Sequence, residues 1–112
     1  MNNIIKDITN KIYKINTPHD ILNIKNEITK NNLSYIQILY LIEKLERKLK
    51  KITKKIIDDI NINFNHIDDF NLHKYYYLLE GSLDINFMRD NEYRKIIAAN
   101  MILINEKLNI YQ

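Results

Sequence analysis

The chain lacks several residues on which common protein chemistries depend. It contains no cysteine and no tryptophan, and only one glycine and one proline in 112 residues. Without cysteine there is no disulfide, no zinc–thiolate site and no thiol nucleophile. A single glycine excludes the P-loop and the G-x-G-x-x-G dinucleotide loop. We therefore expect no nucleotide cofactor and no thiol-dependent catalysis.

Long hydrophobic runs are also missing. The longest nearly apolar stretch, residues 35–42, is interrupted by Gln37, whereas a helix that spans a bilayer needs about 20 apolar residues. The N-terminal segment has charges in every turn and lacks the continuous apolar core of a secretory signal. The expectation is a soluble intracellular protein that makes no membrane contact.

The residues that are abundant reflect nucleotide composition. The chain has 23 Ile, 17 Asn and 14 Lys, but no Val. The abundant three have A- and T-rich codons, which indicates an AT-rich genome such as that of a virus or a mobile element. The 46% hydrophobic content is too high for a disordered chain, and the length suits one domain over residues 1–112.

Apolar residues at helical spacing predict two amphipathic helices in the first third of the chain. Isoleucines recur every three or four positions over residues 4–15, with charged residues between them. Thr17-Pro18 then predicts a new helix start, since threonine caps helices well and proline fits the first helical position. The second helix is expected to end near residues 30–32.

The strongest local signal begins at Ser34. Ser34 and Gln37 match a capping box, which marks a helix start. Apolar residues then step by three and four as far as Ile56, which predicts a helix over about 34–61, about 40 Å long. Its first half is apolar nearly all round, which is typical of the centre of a globular core.

The second half of the chain predicts two more helices. Asp68 or Asp69 is expected to cap a helix over 69–80 that buries Phe70, and Gly81 to end it in the left-handed conformation. The final helix is expected over 90–109. The predicted fold is all-α, a compact bundle of four to five helices around the long central helix, with at most a short β-ribbon near 83–99.

The long central helix supplies the candidate partner interface. Its apolar stripe continues further than a small bundle usually encloses, so its far end is expected to contact a protein partner, with a second copy of the chain as the first candidate. The residues assigned to this contact are Leu45, Leu49, Ile52 and Ile56.

Charge is unevenly distributed along the sequence. Residues 44–55 hold seven Lys/Arg and one Glu, net +6, whereas residues 58–92 hold eight Asp/Glu and two Lys/Arg, net −6. A basic run suits a solvated helix face, an acidic partner or phosphate contacts. The candidate nucleic-acid contacts are Arg47, Lys48, Lys50, Lys51, Lys54, Lys55, Arg89, Arg94 and Lys95.

No catalytic or metal-binding constellation is recognisable. His66 and His73 lie near Asp68-Asp69, but no H-x-x-x-H or H-E-x-x-H spacing is present. The adjacent aspartates would point about 100° apart on a helix, which suits capping better than a shared-proton pair. We expect no catalytic residues, no metal and no enzymatic activity.

One stretch resembles a known family. The segment from Asn32 to Leu41, and the later groups 79–81 and 90–95, resemble the MarR- and SarA-type winged-helix regulators. The resemblance implies two DNA-binding motif helices at 52–60 and 67–80, with wing strands at 83–87 and 95–99, and it implies DNA binding.

The charges of the segment that would be the recognition helix favour a different function. The segment that would be the recognition helix carries Asp68, Asp69 and Glu80 against Lys74, whereas DNA phosphates need basic residues there. The function predicted first is therefore a small non-enzymatic binding protein that acts through a helical protein–protein surface. A winged-helix DNA-binding regulator is the alternative.

Overall fold

The chain folds into helices throughout the part that the structure describes. The structure is a computed structural model that describes residues 3–83 and 91–109. Within these ranges there are no strands, and a 3₁₀ turn at Phe64–His66 separates the third helix from the fourth. The helices are α1 (Asn3–Tyr13), α2 (Pro18–Lys30), α3 (Tyr35–Asn63), α4 (Asp69–Leu83) and α5 (Asn91–Leu108). The predicted all-α fold is confirmed.

Contacts divide the chain into two compact units. The first comprises Met1–Lys50 and the second Lys51–Gln112, so the boundary falls within α3. That the two form a single domain in solution stays a prediction from the chain length.

In the first unit, α1 and α2 pack against each other through isoleucine. The buried side chains recur at helical spacing, as the sequence predicted: Ile5, Ile8, Ile12, Ile15, Ile21, Ile24 and Ile28. A β-branched residue is a poor helix former on its own, so these helices depend on packing of the buried face. Complete burial of one such side chain contributes about 1.5–3 kcal/mol.

Both predicted helix starts in this unit are capped by side chains. Thr17 Oγ1 accepts from the Asp20 amide at 3.2 Å, and Asp20 Oδ2 accepts from the amides of Asn16 and Thr17 at 2.9 and 3.0 Å. Ser34 Oγ and Gln37 Oε1 make the same reciprocal pair at the start of α3. Each box satisfies amides that a helix start leaves without partners.

The buried side of α3 differs from the predicted stripe. The buried residues advance mostly by four: Leu41, Leu45, Leu49, Thr53, Ile56 and Ile60. Tyr35 and Ile36 are 75% and 78% exposed, so the prediction that the first half of this helix is the centre of the core is wrong. In these turns only Leu41 is fully buried, because Tyr35, Ile36 and Leu39 lie on the other side of the helix.

The second unit contains a pair of helices, α4 and α5, that pack closely. Arg94, near the start of α5, donates to the Leu83 carbonyl at the end of α4 at 2.9 Å. At the other end of α5, Lys107 donates to the Phe64 carbonyl at 3.1 Å and lies 4.7 Å from the centre of the Phe64 ring. These contacts join opposite ends of the pair, so α4 and α5 run antiparallel.

Three predictions for this unit need correction. Gly81 does not end α4, which continues to Leu83 with Gly81 at negative φ. Buried Ser82 donates to the Leu78 carbonyl at 3.0 Å, and this bond satisfies its hydroxyl inside the helix.

Phe70 is 79% exposed, because the buried face of α4 begins at Leu72. Residues 95–99 are helical within α5, so the wing strand implied there does not form, whereas residues 84–90 lie outside the described ranges.

Candidate functional site: the outer surface of α5

Three of the four residues predicted to contact a partner are buried in the chain itself. Leu45 and Leu49 have no exposed surface, Ile56 is 3% exposed, and Ile52 is half-buried. A partner reaches these side chains only if the helices that cover them move. Their assignment to a partner contact stays a prediction, and an exposed surface has to be sought elsewhere.

The basic residues of α3 are mostly exposed, as either a solvated face or a binding surface requires. Lys48 is half-buried, whereas the other five members of the run from Arg47 to Lys55 are exposed. Arg47 lies 2.6 Å from Glu43 on the same helix. Such an exposed pair contributes little to stability, so it leaves the guanidinium available to a partner.

The remaining predicted nucleic-acid contacts have local roles or lie outside the described residues. Arg94 is half-buried and caps the end of α4 through the Leu83 carbonyl. Lys95 lies 3.4 Å from Glu92 on an exposed turn of α5. Arg89 lies outside the described ranges. These residues therefore do not form a continuous basic surface in the described part of the chain.

Among the polar residues considered for catalysis or metal binding, Asp68 has a helix-capping role. Asp68 caps α4 by accepting from the Asn71 amide at 2.7 Å, and the histidines are exposed. Across residues 3–83 and 91–109, no group of three or more histidine, aspartate or glutamate side chains is placed to hold a metal ion.

One polar contact joins α3 to α4 in the second unit. Tyr75 Oη donates to Asp59 Oδ2 at 2.6 Å, and Asn63 donates to the other oxygen at 3.0 Å. Burial of the Tyr75 ring and its bond to the carboxylate raise the pKa of Tyr75 to about 12. The same hydrogen bonds, that from Tyr75 first, lower the pKa of Asp59 below its ordinary value. The Tyr75 phenol is therefore neutral, and its hydrogen bond to Asp59 stabilises the packing of α4 against α3.

The first unit contains a polar cleft between α1 and α2. It has a volume of about 530 Å³ and is lined mainly by charged and amide side chains. Lys11 lies 3.2 Å from Glu27 there, so part of its charge is paired within the chain. The lysines that line the cleft are exposed, and exposed lysines alone do not define a ligand.

The surface of α5 that faces away from its buried side is an exposed apolar feature. Ile96 and Leu103 are 46% and 42% exposed, Ile102 is 59% exposed, and Ala99 between them is also exposed. The buried positions Ile97 and Ile104 lie on the other side of the helix. Apolar residues thus occupy two opposite sides of α5, although α4 is its close neighbour on only one.

Charged residues occupy both ends of this surface. Glu92 and Lys95 lie at its N-terminal end, and Glu106 and Lys107 at its C-terminal end, all exposed. Each end therefore carries one acid and one base. We refer to these eight residues, Glu92, Lys95, Ile96, Ala99, Ile102, Leu103, Glu106 and Lys107, as the α5 outer surface.

Sequence reasoning missed this surface because it followed a single stripe. The repeat from Tyr93 through Ile97 to Leu108 describes the side of α5 that is buried or half-buried. The available signal was the second apolar set, Ile96, Ile102 and Leu103, which falls outside that stripe. An 18-residue helix that is apolar on both sides predicts either complete burial or a contact surface.

Comparison with known proteins supplies no functional assignment. No family model matches the chain, and neither curated proteins nor solved structures give a significant match. Among the described residues, no helix combines the length and apolar character needed to cross a membrane.

Proposed function

We propose that this chain is a small non-enzymatic binding protein that acts through an exposed helical surface, and that it binds a second copy of itself. The observation that carries the proposal is the α5 outer surface, where three large apolar side chains on one helix are each more than 40% exposed. Contiguous exposed apolar groups with a charged border are typical of protein–protein contact surfaces.

The chemistry of the polar residues also supports a binding role. Asp59, Asp68 and Ser34 are engaged in contacts that join or cap helices. A nucleophile activated by a neighbouring base would need a different arrangement. The proposal includes an intracellular setting, because a chain without cysteine gains no disulfide in an oxidising compartment.

The test of this proposal is the solution mass of the purified chain. Sedimentation equilibrium across about 5–500 µM covers the range in which small helical contacts associate. The proposal predicts that the average mass rises from 13.6 kDa towards twice that value. A single species at the chain mass over the whole range would contradict it.

DNA binding is the second candidate, and the exposed basic residues of α3 favour it. Lys50, Lys51 and Lys54 are exposed and would contact phosphates through a sequence-independent electrostatic term. Fluorescence anisotropy of a labelled mixed-sequence duplex, titrated at low and moderate salt, measures this term. A steep loss of affinity with salt would support this candidate, whereas no binding at micromolar protein and low salt would reject it.

A further inference from the structure

We infer that the α5 outer surface pairs with the same surface of a second chain, with the two α5 helices antiparallel about a two-fold axis near Ala99. The inference rests on the proposed function and specifies its contact. Three features of the described residues support this arrangement: the spacing of the apolar groups, the position of the smallest residue and the order of the charges.

The apolar groups form a strip that a second helix can cover. Ile96, Ala99 and Leu103 are three and four residues apart, so they lie along one side of α5 over two turns. Ile102 borders the same strip. A partner helix in an antiparallel arrangement places Ile96 of one chain against Leu103 of the other, and each contact occurs twice.

The smallest side chain lies at the centre of the strip. Ala99 is near the middle of Asn91–Leu108, so a two-fold axis at this residue pairs the two α5 helices along most of their length. Helices in contact have axes about 8–10 Å apart, the shorter distances requiring small side chains where they cross. Alanine at that position allows close approach while the larger residues on either side interlock.

The charges select the antiparallel direction. With the two-fold axis near Ala99, Glu92 of one chain faces Lys107 of the other, and Lys95 faces Glu106. These contacts add to two within each chain, one between Lys95 and Glu92 and one between Lys107 and the Phe64 carbonyl. A parallel pair would place Glu92 beside its own copy and Lys95 beside its own copy. Antiparallel helices also place opposite ends of their macrodipoles together. The charge order therefore matches a second copy of this same helix.

The size of the contact sets the expected affinity. A surface made of one helix per chain is smaller than the roughly 800 Å² per partner of a standard interface, so the dissociation constant is expected on the order of 10–100 µM. Association of this strength depends on concentration, so both a gain and a loss of affinity in a variant are readily measured.

Engineered cysteines test the arrangement directly, because the natural chain has none. Ala99→Cys is expected to form a disulfide-linked dimer under mild oxidation, since facing helix positions near the axis come within disulfide range. Leu22→Cys on α2, at a position that is 52% exposed, is the matched control for random collision. A mixture of Lys95→Cys and Glu106→Cys is expected to form more disulfide-linked dimer than either variant forms alone.

A second pair of variants tests the apolar strip without cross-linking. Leu103→Glu is expected to weaken dimerisation at least about tenfold, because each dimer would bury two unpaired carboxylates. Leu22→Glu introduces the same change at an exposed leucine of the first unit (52%, against 42% for Leu103) and is expected to change the dissociation constant less than about twofold. Circular dichroism of both variants establishes that each remains helical.

The outcomes separate this inference from the proposed function. A dimer in which Ala99→Cys cross-links no faster than Leu22→Cys would overturn the α5 pairing and leave self-association standing. Loss of the dimer in Leu22→Glu but not in Leu103→Glu would also overturn it. A chain that remains monomeric at all concentrations would overturn both proposals.

Discussion

A substitution at Leu49 distinguishes between the two roles proposed for the apolar stripe of α3, core packing and contact with a partner. The Leu49 side chain has no exposed surface, and Leu49→Ala removes three carbon atoms. At about 0.8 kcal/mol per buried methylene the transfer loss is about 2–2.5 kcal/mol. The cavity that remains raises the cost, so we expect the free energy of unfolding to fall by about 3 kcal/mol.

Urea unfolding followed by far-ultraviolet circular dichroism measures this loss. With a urea dependence of about 1.5 kcal/mol per molar for a chain of this size, the midpoint is expected to fall by about 2 M. Leu22→Ala, at a position that is half exposed, is the matched control, and its effect should be below about 1 kcal/mol. The solution mass of both variants should match that of the natural chain.

The opposite pattern would refute this reasoning. If Leu49→Ala costs no more stability than Leu22→Ala and also abolishes self-association, the α3 stripe contacts a partner. The four residues predicted from the sequence would then form the interface, and the α5 outer surface would not.

Three further predictions concern hydrogen bonds. Tyr75→Phe should lower the free energy of unfolding by about 1 kcal/mol at pH 8. The pKa of Tyr75 is raised to about 12 in the folded chain from an ordinary value near 10, so the difference from the natural chain in urea unfolding should shrink as pH rises from 10 to 12. A difference that stays constant over this range would contradict the prediction. Thr17→Ala should cost about 1 kcal/mol by removing the α2 cap, and an equal loss in the control Thr29→Ala would argue against a capping effect. Thr53→Val should raise the melting temperature, because the buried Thr53 hydroxyl has no hydrogen-bond partner and its removal is worth about 1 kcal/mol; a lower melting temperature would show that the hydroxyl is satisfied in solution.

Local signals predicted the starts of the helices well. Thr17 and Ser34 act as caps because capping depends on residues within three positions of each other, so tertiary contacts have little influence on it. The isoleucine spacing of the first two helices predicted their buried faces for a similar reason: each has one clear apolar side.

Predictions that depended on tertiary context were less successful. Gly81 is a typical helix terminator, yet α4 continues past it to Leu83. Ser82 is buried and donates to the Leu78 carbonyl, and the Leu83 carbonyl accepts from Arg94. Phe70 is more hydrophobic than its neighbours, but Leu72 lies on the buried side of α4 and Phe70 does not. Where apolar residues surround a helix, hydrophobicity does not identify the side that a neighbour covers.

The α5 outer surface illustrates the same limit at the candidate site. Ile97 and Ile96 are adjacent and chemically identical, but Ile97 is fully buried and Ile96 is 46% exposed. The sequence contains two overlapping apolar stripes, and the packing of α4 against one of them leaves the other exposed.

The most direct test of the account is the concentration dependence of the ¹H–¹⁵N spectrum of the labelled chain, because it reports association and its location together. Between about 20 and 500 µM, a weak dimer is partly populated throughout. If chains pair through the α5 outer surface, the amide shifts of Ile96, Ala99, Ile102 and Leu103 are expected to move, while those of α1 and α2 remain constant. Shifts that move only along other helices, or a spectrum that does not change with concentration, would contradict it.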